Sequence, residues 1–147
     1  MAHYMSSGED GSANRGGAAE MPLRSDEDVV RLRKSVREMA IEIGLSLVDQ
    51  TKLVTAASEL ARNTLRYGGG GEVRLTLVSN GFARGLDVVF SDRGPGIPDV
   101  ALALSDGYTT GGGLGLGLGG AKRLVDEFSI DTSPGAGTRV RITKWKR

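Results

Sequence analysis

A glutamate and an asparagine stand four residues apart in the stretch SELARN, at Glu59 and Asn63. If this stretch is helical, the two side chains are neighbours on one face, with Cβ atoms about 5–6 Å apart. An amide carbonyl is a hard oxygen ligand that suits Mg²⁺, and a nearby carboxylate can act as a general base. The pair could therefore support metal-assisted proton transfer, although a solvated polar face is the commoner meaning of this spacing.

A second candidate is Asp92, which ends an alternating segment and precedes RGPGIP. It shares parity with Leu86, Val88 and Phe90, so its side chain is predicted to face the buried side of a strand. A carboxylate placed there is costly unless it is paired. Two interpretations stay open. The carboxylate could cap the turn, or it could hold an amino group of a ligand, with Thr138 facing the same side from a later strand.

The third candidate is the glycine-rich run from Gly111 to Gly120, GGGLGLGLGG. Three of its glycines satisfy G-x-G-x-x-G, but no convincing strand precedes them. The Walker pattern fails because Lys122 follows Ala121 and precedes Arg123, where the pattern needs glycine before the lysine and serine or threonine after it. Exposed backbone N–H groups and the start of a following helix would still favour phosphate. Lys122 and Arg123 fall in the first turns of that predicted helix, where cations oppose the dipole unless an anion is present.

Composition excludes several other chemistries. The formal net charge is +1, which gives no overall argument for nucleic acid or a membrane surface as partner. Cysteine is absent, which excludes disulfides and thiolate metal sites and is compatible with a reducing cytosol. The single histidine, His3, lies in a polar tail, so histidine catalysis is not expected. No apolar run is long enough to span a membrane, and no signal peptide is predicted.

Helical periodicity and alternation place the candidate residues on a small set of elements. The pattern predicts a helix that Ser25 begins as N-cap, with Asp28 in the capping-box position, and that Gly44 ends. A second helix is predicted over residues 48–67, and a third begins inside the glycine run and continues to about residue 128. Alternation predicts strands over the following ranges: 20–24, 72–78, 85–92, 128–132 and 137–144.

Helices followed mainly by hairpin-compatible strands predict an α+β fold. We expect a two-layer sandwich with helices packed on one face of a mixed, mostly antiparallel sheet. A chain of 147 residues is expected to form one domain, over residues 20–147. Residues 1–19 are rich in Gly, Ser and Ala and show little apolar periodicity, so they are predicted to be a disordered tail.

Four short stretches in order resemble the motifs of the GHKL superfamily of ATP-binding proteins, which includes gyrase, histidine kinases and MutL-type proteins. ELARN is similar to the N box, DRGPGIP and GLGLGL to the two glycine boxes, and GTRV to the closing Gly-Thr element. The resemblance covers residues 23–147 and implies the Bergerat-type fold. SELARN, DGYTTGGGLG and GAKRLVDEFSI most resemble RsbT-type switch kinases of the anti-sigma-factor kinase group.

The resemblance implies ATP and Mg²⁺ as cofactors and a role for each candidate residue. Asp92 would accept the adenine amino group, and Thr138 would add a polar contact near the base. Asn63 would ligate Mg²⁺, and Glu59 would orient or deprotonate the substrate hydroxyl. Two glycines of the first glycine box, Gly94 and Gly96, would let the base approach the backbone.

The same resemblance assigns the nucleotide phosphates to the second glycine box. The residues implied are Gly113, Leu114, Gly115, Leu116 and Gly117. On this reading the glycine run is a lid that phosphate orders at the start of the following helix. Burial of its leucines together with phosphate binding would offset the conformational cost of the glycines.

The activity implied is that of a cytoplasmic, ATP-dependent protein serine/threonine kinase. Its substrate would be a STAS-domain protein in a bacterial stress-response pathway of the stressosome type, and the released kinase would bind and activate a PP2C-type phosphatase. An anti-sigma factor that sequesters a sigma factor and phosphorylates its STAS-domain antagonist is the alternative. A pure interaction module is a further alternative, and neither nucleic acid nor a membrane is expected as partner.

Overall fold

The computed structural model describes residues 2–5, 14–105 and 117–147. The elements follow the chain in this order: β1 (Ala2–Met5), β2 (Asn14–Leu23), α1 (Asp26–Ile43), α2 (Leu47–Arg66), β3 (Gly71–Ser79), β4 (Arg84–Asp92), α3 (Val100–Ala103), α4 (Gly117–Arg123), β5 (Glu127–Thr132) and β6 (Thr138–Trp145). Among these described helices, none is long and apolar enough to cross a membrane.

The six strands form one sheet in the order β1-β5-β6-β4-β3-β2. Each neighbouring pair of these strands is antiparallel. Strands β4 and β5 therefore run in the same direction, because β6 lies between them and is antiparallel to both. The predicted α+β sandwich is confirmed, and the sheet differs from the mixed sheet expected only in being antiparallel throughout the described strands.

Helices α1 and α2 pack against each other and both contact β4. The apolar residues of α1 recur every three or four positions and are buried, as its periodicity predicts: Val29, Leu32, Val36, Ala40 and Ile43. Gly44 ends the helix in the left-handed region with φ 87°, where a side chain would be strained. In α2 the Ser46 hydroxyl accepts a hydrogen bond from the Asp49 backbone N–H at 3.1 Å, so the helix begins at a capped residue.

The N-terminal residues differ from the disordered tail that the composition predicts. Ala2–Met5 pairs with β5, and Asn14–Leu23 pairs with β3. Both partners would otherwise be outer strands with unpaired backbone groups, which can pair with any extended chain whatever its side chains. Composition reports on side-chain burial, so it does not detect pairing of this kind.

A buried carboxylate on β4 helps to hold the register between β4 and β6. Asp87 is fully buried, accepts a hydrogen bond from the Thr143 hydroxyl, and pairs with Arg141 Nε at 3.0 Å. Thr143 is also the register partner of Asp87, and the same register places Asp92 opposite Thr138. A slip of one residue would move these polar groups to opposite faces of the sheet.

Replacing Arg141 with alanine should destabilise the fold by about 3 kcal/mol, because the buried Asp87 carboxylate loses the Arg141 guanidinium as a partner. Urea unfolding measures the change. Arg139→Ala is the matched control, since Arg139 is exposed on the same strand and face, and its loss should change the free energy of unfolding by less than about 0.5 kcal/mol. Equal stability of the two variants would contradict a register role for the Asp87–Arg141 pair.

The start of α1 depends on Asp28 rather than on Ser25. Ser25 has the extended backbone of an N-cap, but its hydroxyl makes no capping bond. The Asp28 carboxylate accepts hydrogen bonds from Arg24 Nε at 3.1 Å, from the Arg24 backbone N–H at 2.8 Å and from Arg31 Nη2 at 2.5 Å. The bond from the Arg24 side chain, followed by that from Arg31, holds the pKa of Asp28 well below its ordinary value of 3.8.

A lowered pKa in the folded state means that ionised Asp28 contributes stability above pH 3.8, and that this contribution is lost as the pH falls through the folded pKa. Asp28→Asn should therefore lower the free energy of unfolding near neutral pH. The gap from wild type should narrow when urea unfolding is repeated at about pH 3 instead of about pH 6. Asp26→Asn, exposed in the same turn, is the control. A gap that does not change with pH would contradict the assignment.

Candidate functional site

A cavity of about 670 Å³ opens between α2, the ends of β4 and β6, the loop after β4, and α3 and α4. It brings together most of the predicted site residues that the structure describes: Glu59, Asn63, Asp92, Gly96, Gly117 and Thr138. Gly94 lies in the adjoining turn and does not line the cavity. The four remaining residues lie outside the described part of the chain: Gly113, Leu114, Gly115 and Leu116.

The Asp92 carboxylate combines the two interpretations that the sequence leaves open. Its Oδ1 accepts a hydrogen bond from the Gly94 backbone N–H at 2.9 Å and so caps the turn. Its Oδ2 makes no hydrogen bond with the described residues and is available to a ligand in the cavity. A Cβ on Gly68 would come within 2.6 Å of Oδ2. The missing side chain of Gly68 therefore leaves room for the carboxylate.

Thr138 takes its orientation from Thr132, a residue that the sequence analysis did not single out. Thr132 Oγ1 accepts a hydrogen bond from the Ile97 backbone N–H at 2.9 Å and lies 3.1 Å from the Gly137 carbonyl oxygen, to which it can donate. Each hydroxyl carries one proton, so Thr138 Oγ1, at 3.0 Å, then donates to Thr132. Thr138 is left with acceptor lone pairs for a ligand. The sequence could have indicated Thr132, because it lies two residues after Ile130 on β5 and so faces the same, buried side of the sheet.

The glycines of DRGPGIP have a structural explanation within the chain. A Cβ on Gly94 would lie 2.8 Å from the Gly68 Cα, and one on Gly96 would lie 2.5 Å from the Ser133 carbonyl oxygen. Gly96 also has φ 83°, a conformation that favours glycine. Backbone packing of this loop thus requires both glycines. Approach of a ligand to them stays a prediction.

Glu59 and Asn63 both face the cavity from α2, as their four-residue spacing predicts. The Glu59 carboxylate accepts a hydrogen bond from Arg62 Nη1 at 3.2 Å, and its side chain is 14% exposed. The Asn63 side chain makes no hydrogen bond with the described residues, so its amide oxygen is available as a ligand. Within those residues there is no group of three or more His, Cys, Asp or Glu that could hold a metal. Mg²⁺ bound by Asn63 would therefore need phosphate oxygens and water to complete its octahedron.

Helix α4 is shorter than the sequence predicts. It ends at Arg123, and Phe128 belongs to β5. Lys122 and Arg123 therefore lie in the last turn of the helix, where cations are favourable, and they no longer argue for an anion at its start. A Cβ on Gly119 would overlap the Leu104 carbonyl oxygen. The missing side chain thus lets α4 pack closely on the end of α3.

Comparison with known proteins agrees with this geometry. The family described as histidine kinase-, DNA gyrase B- and HSP90-like ATPases matches residues 48–147. Serine/threonine-protein kinase RsbT of Bacillus subtilis is 43% identical over 125 residues, which is 85% of this chain and 94% of that protein. Anti-sigma F factors are more distant. The anti-sigma F factor of Thermoanaerobacter sp. is 26% identical, over 77% of this chain and 82% of that protein. The anti-sigma F factor of Bacillus licheniformis is 29% identical, over 76% of this chain and 80% of that protein.

A crystal structure of the RsbU and RsbW domains of a Mycobacterium tuberculosis protein matches with a TM-score of 0.62 at 23% identity. The match covers 90% of this chain but only 33% of that longer chain, and it supports the fold alone. The resemblance to RsbT-type proteins that the motifs indicate is confirmed by the 43% identity to RsbT. The family match spans residues 48–147, which is most of the chain, and it contains every residue that lines the cavity. The chain therefore belongs to the histidine kinase-, DNA gyrase B- and HSP90-like ATPase family.

Proposed function

We propose that this chain is an ATP-dependent protein serine/threonine kinase of the cytoplasm that phosphorylates a STAS-domain partner in a stressosome-type pathway. The observation that carries the proposal is the presence of Glu59 and Asn63 in the same cavity as Asp92. A carboxylate that could activate a hydroxyl thus lies beside an amide that could ligate Mg²⁺. The similarity to serine/threonine-protein kinase RsbT, which covers 94% of the length of RsbT, supports the same reaction.

The end of the cavity at Asp92 and Thr138 suits adenine. Asp92 Oδ2 would accept a hydrogen bond from the exocyclic amino group, and the lone pairs of Thr138 would face polar atoms or water at the same end. Apolar side chains of Phe90, Ile97 and Val140 also line the cavity, and apolar walls with a few polar groups are typical of small-molecule and cofactor sites. The carboxylate sets the orientation of the base, because a charge-assisted hydrogen bond is stronger than a neutral one.

The part of the cavity lined by Glu59 and Asn63 suits phosphoryl transfer. Mg-ATP would supply the transferred phosphoryl group and the neutralisation of its charge, with the Asn63 oxygen as one metal ligand. Glu59 would accept the proton of the substrate serine or threonine hydroxyl while the hydroxyl oxygen attacks the γ-phosphorus and ADP leaves. The hydrogen bond from Arg62 keeps the Glu59 carboxylate directed along α2. Of the predicted phosphate-binding residues, Gly117 lies in the described part of the cavity lining.

Phosphorylation would release the kinase from the STAS protein to bind and activate a PP2C-type phosphatase. An anti-sigma factor that phosphorylates a STAS-domain antagonist is the second candidate, and the anti-sigma F relatives support it. Incubation with Mg-ATP and purified STAS-domain proteins, followed by phosphosite mapping by mass spectrometry, tests the kinase activity. Co-purification with a sigma subunit would favour the second candidate. Absence of phosphate on every STAS protein would contradict both.

Asp92→Asn should weaken ATP binding about ten- to hundred-fold, because an amide donor would face the donor amino group of adenine. Calorimetric titration with ATP measures the affinity. Asp99→Asn is a matched control at the cavity edge, because Asp99 caps α3 through a bond from the Leu102 backbone N–H and asparagine caps equally well. The ATP affinity of the Asp99→Asn variant should stay within about twofold of wild type. Unchanged ATP affinity in folded Asp92→Asn protein would rule out the adenine contact.

Glu59→Gln should lower the rate of partner phosphorylation about 10²- to 10⁴-fold, because it removes the proposed base and keeps the size of the side chain. ATP affinity should change little, since no contact to nucleotide depends on this carboxylate. Single-turnover transfer and ATP titration separate the two effects. Glu42→Gln, exposed on α1, is the control. A variant that transfers phosphate at the wild-type rate would show that Glu59 is not the base and would favour an interaction module.

A further inference from the structure

A second cavity, of about 610 Å³, lies in the groove between the first half of α1 and the last turns of α2. We refer to it as the arginine groove, and these residues line it: Asp26, Val29, Val30, Arg33, Arg62, Leu65 and Arg66. The four positions from α1 recur at intervals of three and four, so they form one stripe on that helix, and the three from α2 do the same. The groove is therefore a surface formed jointly by two helices.

The lining combines an apolar floor with a cationic rim. Val29 is buried and Leu65 is half-buried beneath the groove, whereas Val30 is 65% exposed. Three arginines face a single aspartate, Asp26. Arg33 is exposed and makes no ion pair with any residue that the structure describes. The groove therefore presents more positive charge than its own residues neutralise.

The arginine groove is continuous with the proposed active site. Arg62 and Arg66 line both cavities. Arg62 also donates a hydrogen bond to Glu59, the proposed base. A chain segment lying in the groove would therefore extend to the place where the acceptor hydroxyl must be held. This continuity separates the groove from an ordinary charged patch on the surface.

We propose that the arginine groove binds an acidic, partly apolar segment of the protein substrate, close to the serine or threonine that is phosphorylated. Arginine guanidinium groups bind carboxylates through two parallel N–H···O bonds, and the apolar floor would accept an aliphatic side chain of the same segment. The groove thus selects the protein substrate, and the first cavity binds the nucleotide. This inference rests on the proposed kinase activity, since the occupant is the substrate of that reaction.

The test uses Arg33→Glu, because Arg33 lines the groove and not the nucleotide cavity. Lys34→Glu is the matched control, with the same charge change at an exposed neighbour outside the groove. The substrate is the STAS-domain protein found phosphorylated in the assay above. The KM for this protein should rise about tenfold in Arg33→Glu and less than about twofold in Lys34→Glu. The kcat and the ATP affinity should stay near wild type in both variants.

Two further measurements identify the occupant. The wild-type KM should increase with ionic strength more steeply than that of Arg33→Glu, because the substitution replaces an attractive positive charge with a repulsive negative one. Reversing one acidic residue near the phosphosite of the substrate should then restore a low KM to Arg33→Glu. Equal KM values for Arg33→Glu and Lys34→Glu would overturn the docking proposal and leave the kinase activity intact.

The remaining outcomes are also decisive. If sedimentation shows that wild-type chains associate and Arg33→Glu chains do not, while the KM is unchanged, the groove is a contact between two copies of this chain. If the wild-type protein phosphorylates no STAS-domain protein, the proposed function fails first, and the docking inference fails with it. A wild-type protein without kinase activity contradicts the proposed function, whereas an unchanged KM in Arg33→Glu contradicts only the docking proposal, so the two failures are distinguishable.

Discussion

Strand β4 pairs with β6 in a register that sets Asp92 directly opposite Thr138. The buried carboxylate of Asp87 holds this register from the other face of the sheet, because it must keep both Arg141 and the Thr143 hydroxyl as partners. Asp92 and Thr138, the polar side chains that these two strands present to the cavity, therefore take their positions from an interaction outside the cavity lining. The loop after β4 and the hydroxyl of Thr132 then complete that side of the site.

Helix α2 supplies the other side of the site and connects it to the outer surface. One stripe of the helix carries Glu59 and Asn63 into the cavity, and Arg62 extends from that stripe toward α1. Arg62 lines both the cavity and the arginine groove and donates a hydrogen bond to the Glu59 carboxylate, so it lies where the two surfaces meet. A single rigid helix thus holds the proposed base, the proposed metal ligand and part of the proposed docking surface.

Much of the fold could be predicted because its cause is local. Helical spacing predicted α1 and α2, and alternation predicted β3, β4, β5 and β6 close to their observed bounds. The end of α4 was not predictable in the same way. Leu124, Val125 and Phe128 continue the helical spacing after Arg123. However, pairing of β5 with β6 takes Phe128 into the sheet, and Leu124 and Val125 lie in the turn between α4 and β5. Backbone pairing at Ala2–Met5 likewise depends on a distant partner, β5.

The sequence by itself determined that Glu59 and Asn63 share a helix face and that Asp92 and Thr138 point inward from their strands, because helix and strand periods decide which side chains share a face. Membership of all four residues in one site was implied by the resemblance to the GHKL superfamily. Only the tertiary structure decided how the site is shaped. Gly68 makes room for the Asp92 carboxylate, and Gly119 lets α4 reach α3. These requirements come from segments distant in the chain that approach within a few ångströms, and no local pattern of residues records such an approach.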